Sequence, residues 1–162
     1  MPHFYLSNAS DNNSLPLPDT LIQTDSTGTP QLMILLVSLE ALRRARLDIP
    51  RFIKTRANSD FFGGPHLFYR GGLTETGDTF ARHLDAPLDL MEDPFTGSAT
   101  GGMAAYLWRY GLIESPTFVA EQGHWMDRPG QTTVEVVGLR DDIETVKVGG
   151  GAVTVLRGEF VL

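Results

Sequence analysis

The sequence predicts an α+β fold in which a mostly antiparallel β-sheet curls around one central buried helix. Two patterns predict it. From Thr117 onward, short runs rich in Val and Thr (residues 117–121, 132–137, 144–148 and 152–156) alternate with Gly or Asp turns. Between Ser98 and Gly111 lies a segment whose only charge is Arg109, with small or apolar residues on every face. A helix of that kind is stable only when buried on all sides. One buried helix among many short strands excludes a doubly wound nucleotide-binding fold.

The elements follow in order. Residues 7–19 are almost all Ser, Asn, Asp, Pro and Leu, too polar to offset their ordering entropy, so residues 1–20 read as an arm or linker remnant and residues 21–162 as one domain. Thr27-Gly28-Thr29-Pro30 forms a turn, and residues 31–37 a buried strand. Ser38 then caps a helix with Glu40 in its first turn and Arg43, Arg44 and Arg46 toward its end, charges that complement the helix dipole. The three arginines read as a solvated face. Residues 61–69 form a strand broken by Gly63-Gly64-Pro65, and residues 79–84 another. Gly101 and Gly102 in the buried helix cost about 1 kcal/mol each against alanine, acceptable where they admit a neighbouring backbone. Gly111 ends the helix in a left-handed turn. His124-Trp125 reads as a turn with an aromatic lid, and residues 159–162 as a last strand after the Arg157-Gly158 turn.

Composition bounds the function. The chain has 162 residues, 41% hydrophobic and 20% charged, enough for one core. Its 13 basic and 20 acidic residues give a net charge of −7, which argues against non-specific binding to a phosphate backbone. Without cysteine it has no disulfide, thiolate nucleophile or cysteine-held metal. No apolar run approaches the roughly 20 residues that span a bilayer, and no signal peptide is visible, so a cytoplasmic location is the expectation.

The chemistry lies just ahead of the buried helix, in Glu92-Asp93-Pro94-Phe95-Thr96-Gly97-Ser98-Ala99. Gly97 permits a tight turn, and the amides of Ser98, Ala99 and Thr100 should point out of the helix N-terminus. The dipole adds about half a positive charge there, so a substrate carboxylate is the natural guest. Asp93, set by Pro94, could face that guest and hold an ammonium group or exchange a proton. The same residues also suit ordinary helix entry, with Asp93 or Thr96 as the cap. Gly97-Ser98-Ala99-Thr100-Gly101 is neither a nucleophile elbow nor a P-loop. The histidines at 3, 66, 83 and 124 lack metal-ligand spacing; His83 and Asp85, two apart on a strand, are a weak signal only.

Residues 92–99 resemble the E-D-P-x-T-G-S-A signature of the phenazine-biosynthesis (PhzF-like) isomerases. The rest agrees in order: Thr27-Gly28-Thr29-Pro30 and its strand, Phe80-Ala81-Arg82-His83-Leu84-Asp85-Ala86-Pro87, Glu121-Gln122-Gly123, Arg128-Pro129-Gly130, and a glycine-rich final hairpin from Gly149 to Phe160. The resemblance implies one lobe of a diaminopimelate-epimerase-like fold, in which two similar lobes each wrap a sheet around a helix and enclose the active site. It implies cofactor-free isomerisation by proton transfer, with no metal. Asp93 would be the catalytic, ligand-facing acid, and Gly97, Ser98 and Ala99 would bind a small carboxylate-bearing metabolite. The family's N-x-S-E-T motif, which carries its acid/base glutamate, and the G-H-A-T motif beside it do not occur here, and Thr100 stands where histidine is frequent. The resemblance therefore implies a C-terminal lobe that needs a separate N-terminal lobe, or else a second copy of itself as an inactive homodimeric binding or structural protein, or a truncated remnant of the family.

Overall fold

The computed structural model describes residues 22–61, 63–85 and 92–160. The arm at residues 1–20, Ala86-Pro87 and the last two residues of the expected final strand lie outside them. The elements run β1 (Gln23–Ser26), β2 (Pro30–Leu35), α1 (Leu39–Arg44), α2 (Ile49–Arg56), β3 (Pro65–Tyr69), β4 (Thr79–Leu84), β5 (Glu92–Asp93), α3 (Gly97–Arg109), β6 (Thr117–Gln122), β7 (Gly130–Gly138) and β8 (Ile143–Gly149), with a short 3-10 helix at His124–Met126. One mixed sheet has the order β1-β2-β3-β4-β6-β7-β8, with β5 paired to β4. The β2–β3 and β4–β6 pairs are parallel and the other pairs antiparallel.

Strand alternation divides the core. Met33, Leu35, Phe68, Ala81, Phe118, Ala120, Val134 and Val136 point toward α3. Leu32, Ile34, Leu36, Leu67, Phe80 and Leu84 point the other way, onto Leu42 of α1 and Phe52 of α2. Eight of the thirteen α3 residues are buried, and the helix packs against β1 and β2 at one end of the sheet and β7 and β8 at the other. The sheet therefore curls around α3.

Three expectations need correction. Among the described residues a third α-helix joins the two expected, because Asp48 caps a second short helix by accepting a bond from the Arg51 amide and Pro50 suits its first turn. The glycines of α3 admit side chains as well as backbone: a Cβ on Gly101 would lie 3.1 Å from Thr27 Cγ2, and one on Gly102 2.6 Å from Met33 Cε. The run at 152–156 and the described part of 159–162 are not strands; residues 150–160 form no regular structure and are exposed throughout. Residues 152–156 are Val-rich, but β propensity is expressed only against a pairing strand, and they have none beside them.

Other local readings agree. Ser38 accepts a bond from the Ala41 amide at 3.0 Å and caps α1. Gly111 takes φ +65. Trp125 packs edge-on against Phe80 at 4.6 Å between ring centroids.

Candidate active site

The two-residue strand β5 sorts its acids by alternation. Glu92 lies opposite Leu84 and turns toward α1, where it binds Arg82 at 2.6 and 2.9 Å. Arg82 also donates to the carbonyls of Leu42 and Ala45, tying β4, β5 and the end of α1 together. Asp93 lies opposite His83 and so falls on the α3 side of the sheet. Pro94 and Phe95 carry the chain from there to Thr96, the N-cap residue of α3.

Thr96 makes no side-chain cap; its hydroxyl donates to Asp93 Oδ2 at 2.6 Å instead. Gln122 at the end of β6 clamps the loop, donating from Nε2 to the Asp93 carbonyl at 2.7 Å and to Thr96 Oγ1 at 3.2 Å while its Oε1 accepts from the Thr96 amide. Gly123 makes this approach possible. It takes φ +84, and a Cβ there would meet the Pro94 and Arg128 carbonyls at 2.5 and 2.3 Å.

The structure thus brings Asp93, Gly97, Ser98 and Ala99 together at one end of α3. Gly97 is exposed, with nothing within 4 Å of an added Cβ, whereas Ala99 is fully buried. Ser98 is half-buried, and its carbonyl accepts from Thr27 Oγ1 at 3.0 Å. The first-turn amides of Gly97, Ser98 and Ala99 precede the first intrahelical bond, from the Thr100 amide to the Thr96 carbonyl, and no side chain caps them. That end of the helix can accept an anion with the half-buried Asp93 carboxylate beside it, one oxygen of which is engaged by Thr96.

Behind Asp93 runs a row that sequence reading missed. Met33, His66, His83 and Asp93 are successive cross-strand partners on the α3 face. His66 is wholly buried and His83 nearly so, their rings 5.6 Å apart, and both His66 nitrogens and His83 Nδ1 have no hydrogen-bond partner. Burial, reinforced by His83, holds His66 well below the ordinary histidine value. Burial also lowers His83, against the opposing charges of Asp85 and Asp93. Asp93 therefore sits beside a neutral imidazole. Spacing along the chain pointed to Asp85 as the partner of His83; the β4–β5 register that supplies Asp93 leaves no local trace. Among the described residues no group of three or more His, Asp or Glu side chains is placed to hold a metal ion. No helix of the described residues is long and apolar enough to cross a membrane.

Comparison with known proteins supplies the relatives. The chain is 31% identical over 119 residues to the uncharacterized isomerase YfhB of Bacillus subtilis, a match covering 73% of this chain and 40% of the relative. It is 30% identical over 156 residues to the uncharacterized isomerase YddE of Salmonella typhimurium, covering 90% and 50%. It is 38% identical over 83 residues to the trans-2,3-dihydro-3-hydroxyanthranilate isomerase of Pseudomonas chlororaphis, covering 51% and 30%. The chain spans about half the length of the curated relatives, or less. Among solved structures, a PhzF-family phenazine biosynthesis protein of Bacillus anthracis shares the fold at a TM-score of 0.59 and 23% identity, covering 76% of this chain and 42% of that one. A predicted epimerase of Pseudomonas aeruginosa matches at 0.50 and 30%, covering 82% and 44%. The family model for phenazine biosynthesis-like proteins matches residues 3–158. With its signature loop at the mouth of α3 and isomerases among its relatives, the chain belongs to the phenazine biosynthesis-like (PhzC-PhzF) family.

Proposed function

We propose that this chain is one lobe of a PhzF-like isomerase or epimerase and supplies the carboxylate-binding wall of a cofactor-free proton-transfer site. In this reading the first-turn amides of Gly97, Ser98 and Ala99, with the Ser98 hydroxyl, hold a metabolite carboxylate, and Asp93 is the polar acid against the reacting part of the molecule. The observation that carries it is the uncapped, exposed start of α3 with Asp93 three residues before its cap. A net-negative protein retains anions only where local amides and a helix dipole outweigh its overall charge.

Isomerisation moves a proton between two carbons and needs an acid/base on the reacting face of the substrate. Asp93 alone does not enclose a substrate. A complementary N-terminal lobe carrying the family's glutamate would provide the other wall, consistent with relatives about twice this length. A second reading, an inactive homodimeric binding protein, is favoured by the exposed apolar run at 152–160.

The test is titration of the 15N-labelled chain with 3-hydroxyanthranilate, a stable aromatic carboxylate. The amides of residues 97–99 should shift saturably. Gly97→Ala should keep the fold and gain up to about 1 kcal/mol from helix propensity, while weakening binding by crowding the mouth. Asp93→Asn should alter the response to the ligand's amino group more than to its carboxylate. Shifts spread elsewhere, or none at all, would remove the carboxylate site. Solvent deuterium entering the substrate only when a glutamate-bearing lobe is added separates the isomerase from the inactive homodimer.

A further inference from the structure

Six buried side-chain nitrogen and oxygen atoms of the described residues have no hydrogen-bond partner, and four of them belong to Gln31, His66 and His83. Gln31 precedes Met33 by two on β2 and so shares the α3 face with His66, His83 and Asp93. Gln31 is 5% exposed and His83 4%. Polar atoms at that depth are nearly always paired, so a cluster left open marks a place where an outside group completes the bonding.

Gly63 keeps that place open. It is half-buried with φ +76, and a Cβ there would lie 3.5 Å from Gln31 Oε1 and 3.8 Å from His83 Nε2. Two polar atoms thus converge, at ordinary contact distance, on a gap that one small group can fill. The gap lies beside the mouth of α3. Thr27, in the turn that leads into β2, donates to the Ser98 carbonyl at 3.0 Å. On the other side Asp93, the cross-strand neighbour of His83, accepts from Thr96. Residues 96 and 98 therefore tie the gap to the same amides that form the proposed carboxylate site.

We infer that Gln31 and His83 recognise a second group on the ligand, an amino or hydroxyl group carried by the same small molecule whose carboxylate the α3 amides hold. This rests on the carboxylate reading and adds what else the ligand must bear. Gln31 Oε1 can only accept a hydrogen bond. Burial keeps His83 neutral, so its ring offers one N–H and one bare nitrogen. An amine or hydroxyl supplies the hydrogen that the glutamine oxygen lacks and can exchange a second bond with the imidazole. A methyl group leaves both atoms unpaired, and a second carboxylate sets oxygen against oxygen. Sites of this kind discriminate strongly against analogues that lack the polar group, because the buried protein atoms are then left unsatisfied.

The test uses the full chain, 15N-labelled at backbone and imidazole, titrated with benzoate, 2-aminobenzoate, 3-aminobenzoate and 3-hydroxybenzoate. All four should shift the amides of residues 97–99. At least one substituted acid should bind about tenfold more tightly than benzoate, and should move the His83 ring nitrogens, which benzoate leaves in place. Gln31→Met removes the accepting oxygen at similar volume. It should abolish the gain, leave benzoate affinity unchanged, and hold or raise the urea midpoint, since an unpaired buried oxygen has gone. His83→Phe, which keeps a ring and loses its nitrogens, should abolish the gain independently. Equal affinities for all four acids, or a gain that survives either substitution, would overturn the inference and leave the carboxylate site standing. So would a lower midpoint for Gln31→Met, which would show its oxygen satisfied within the fold. Failure of benzoate itself to shift residues 97–99 would remove the carboxylate reading, and this inference with it.

Discussion

At the scale of single residues, the structure's most consequential choice is to bury two imidazoles. His66 and His83 are neutral in the folded chain because burial penalises their charged forms. In the unfolded chain both would take up protons below about pH 6.5. Their folded values lie beneath that, so the stability they contribute is fully present above it and declines as pH falls. Each can withdraw up to about 1.4 kcal/mol per pH unit across that window. Urea midpoints should therefore fall between about pH 7.5 and about pH 5.5, and His66→Leu should flatten the fall. Equal midpoints at the two pH values would show that the pair titrates alike in both states. The placement of Asp93 beside the start of α3 was legible in the sequence, because the signature loop leads directly into that helix. Its neighbours were not. His83, Thr96 and Gln122 reach it through strand register and loop closure, which local composition does not encode.

At the scale of elements, one buried carboxylate holds a loop. The side chain of Glu121 on β6 accepts from the Leu73 and Thr74 amides at 2.6 and 3.1 Å, from Gln131 Nε2 at 2.7 Å and from the Thr74 hydroxyl. Burial alone would raise its carboxyl; these hydrogen bonds outweigh that and hold it below the ordinary range. Gly77 completes the arrangement, since a Cβ there would lie 2.2 Å from the carboxylate. Glu121→Gln should cost about 2–3 kcal/mol, the loss of charge-assisted bonds together with an amide forced against two donors. Chemical denaturation measures it, and a loss below about 0.5 kcal/mol would mean that the loop needs no clamp. Strands were legible wherever β propensity coincided with a partner: residues 79–84 appear as read, and 117–121, 132–137 and 144–148 gained only end residues. The second helix and the two-residue β5 were not. One is short, with Ile53 half-exposed on it, and the other exists only because β4 lies beside it.

At the scale of the whole molecule, the sheet is held closed from both ends. Tyr110 at the end of α3 donates to Gln23 Oε1 of β1 at 2.6 Å. On the other side Arg140, in the β7–β8 turn, stacks 4.0 Å over the Trp108 ring and donates to the Trp108 and Ile113 carbonyls at 2.7 and 2.9 Å. Arg140→Met should leave those carbonyls short of donors and cost about 1–3 kcal/mol. Trp108 fluorescence would report loosening of that turn before global unfolding. A single cooperative transition with unchanged stability would show that the clasp is redundant.

The wrap of the sheet around α3 also governs how the chain reaches its native state. The helix is sealed by one strand beginning at residue 23 and another ending at residue 149, so its apolar sides stay wet until all of that span is available. Closure between such distant segments is slow, and folding should take milliseconds to seconds rather than microseconds. On the ribosome, residues 23–142 must wait for β8, a window in which chaperones rather than intrinsic stability protect the nascent core.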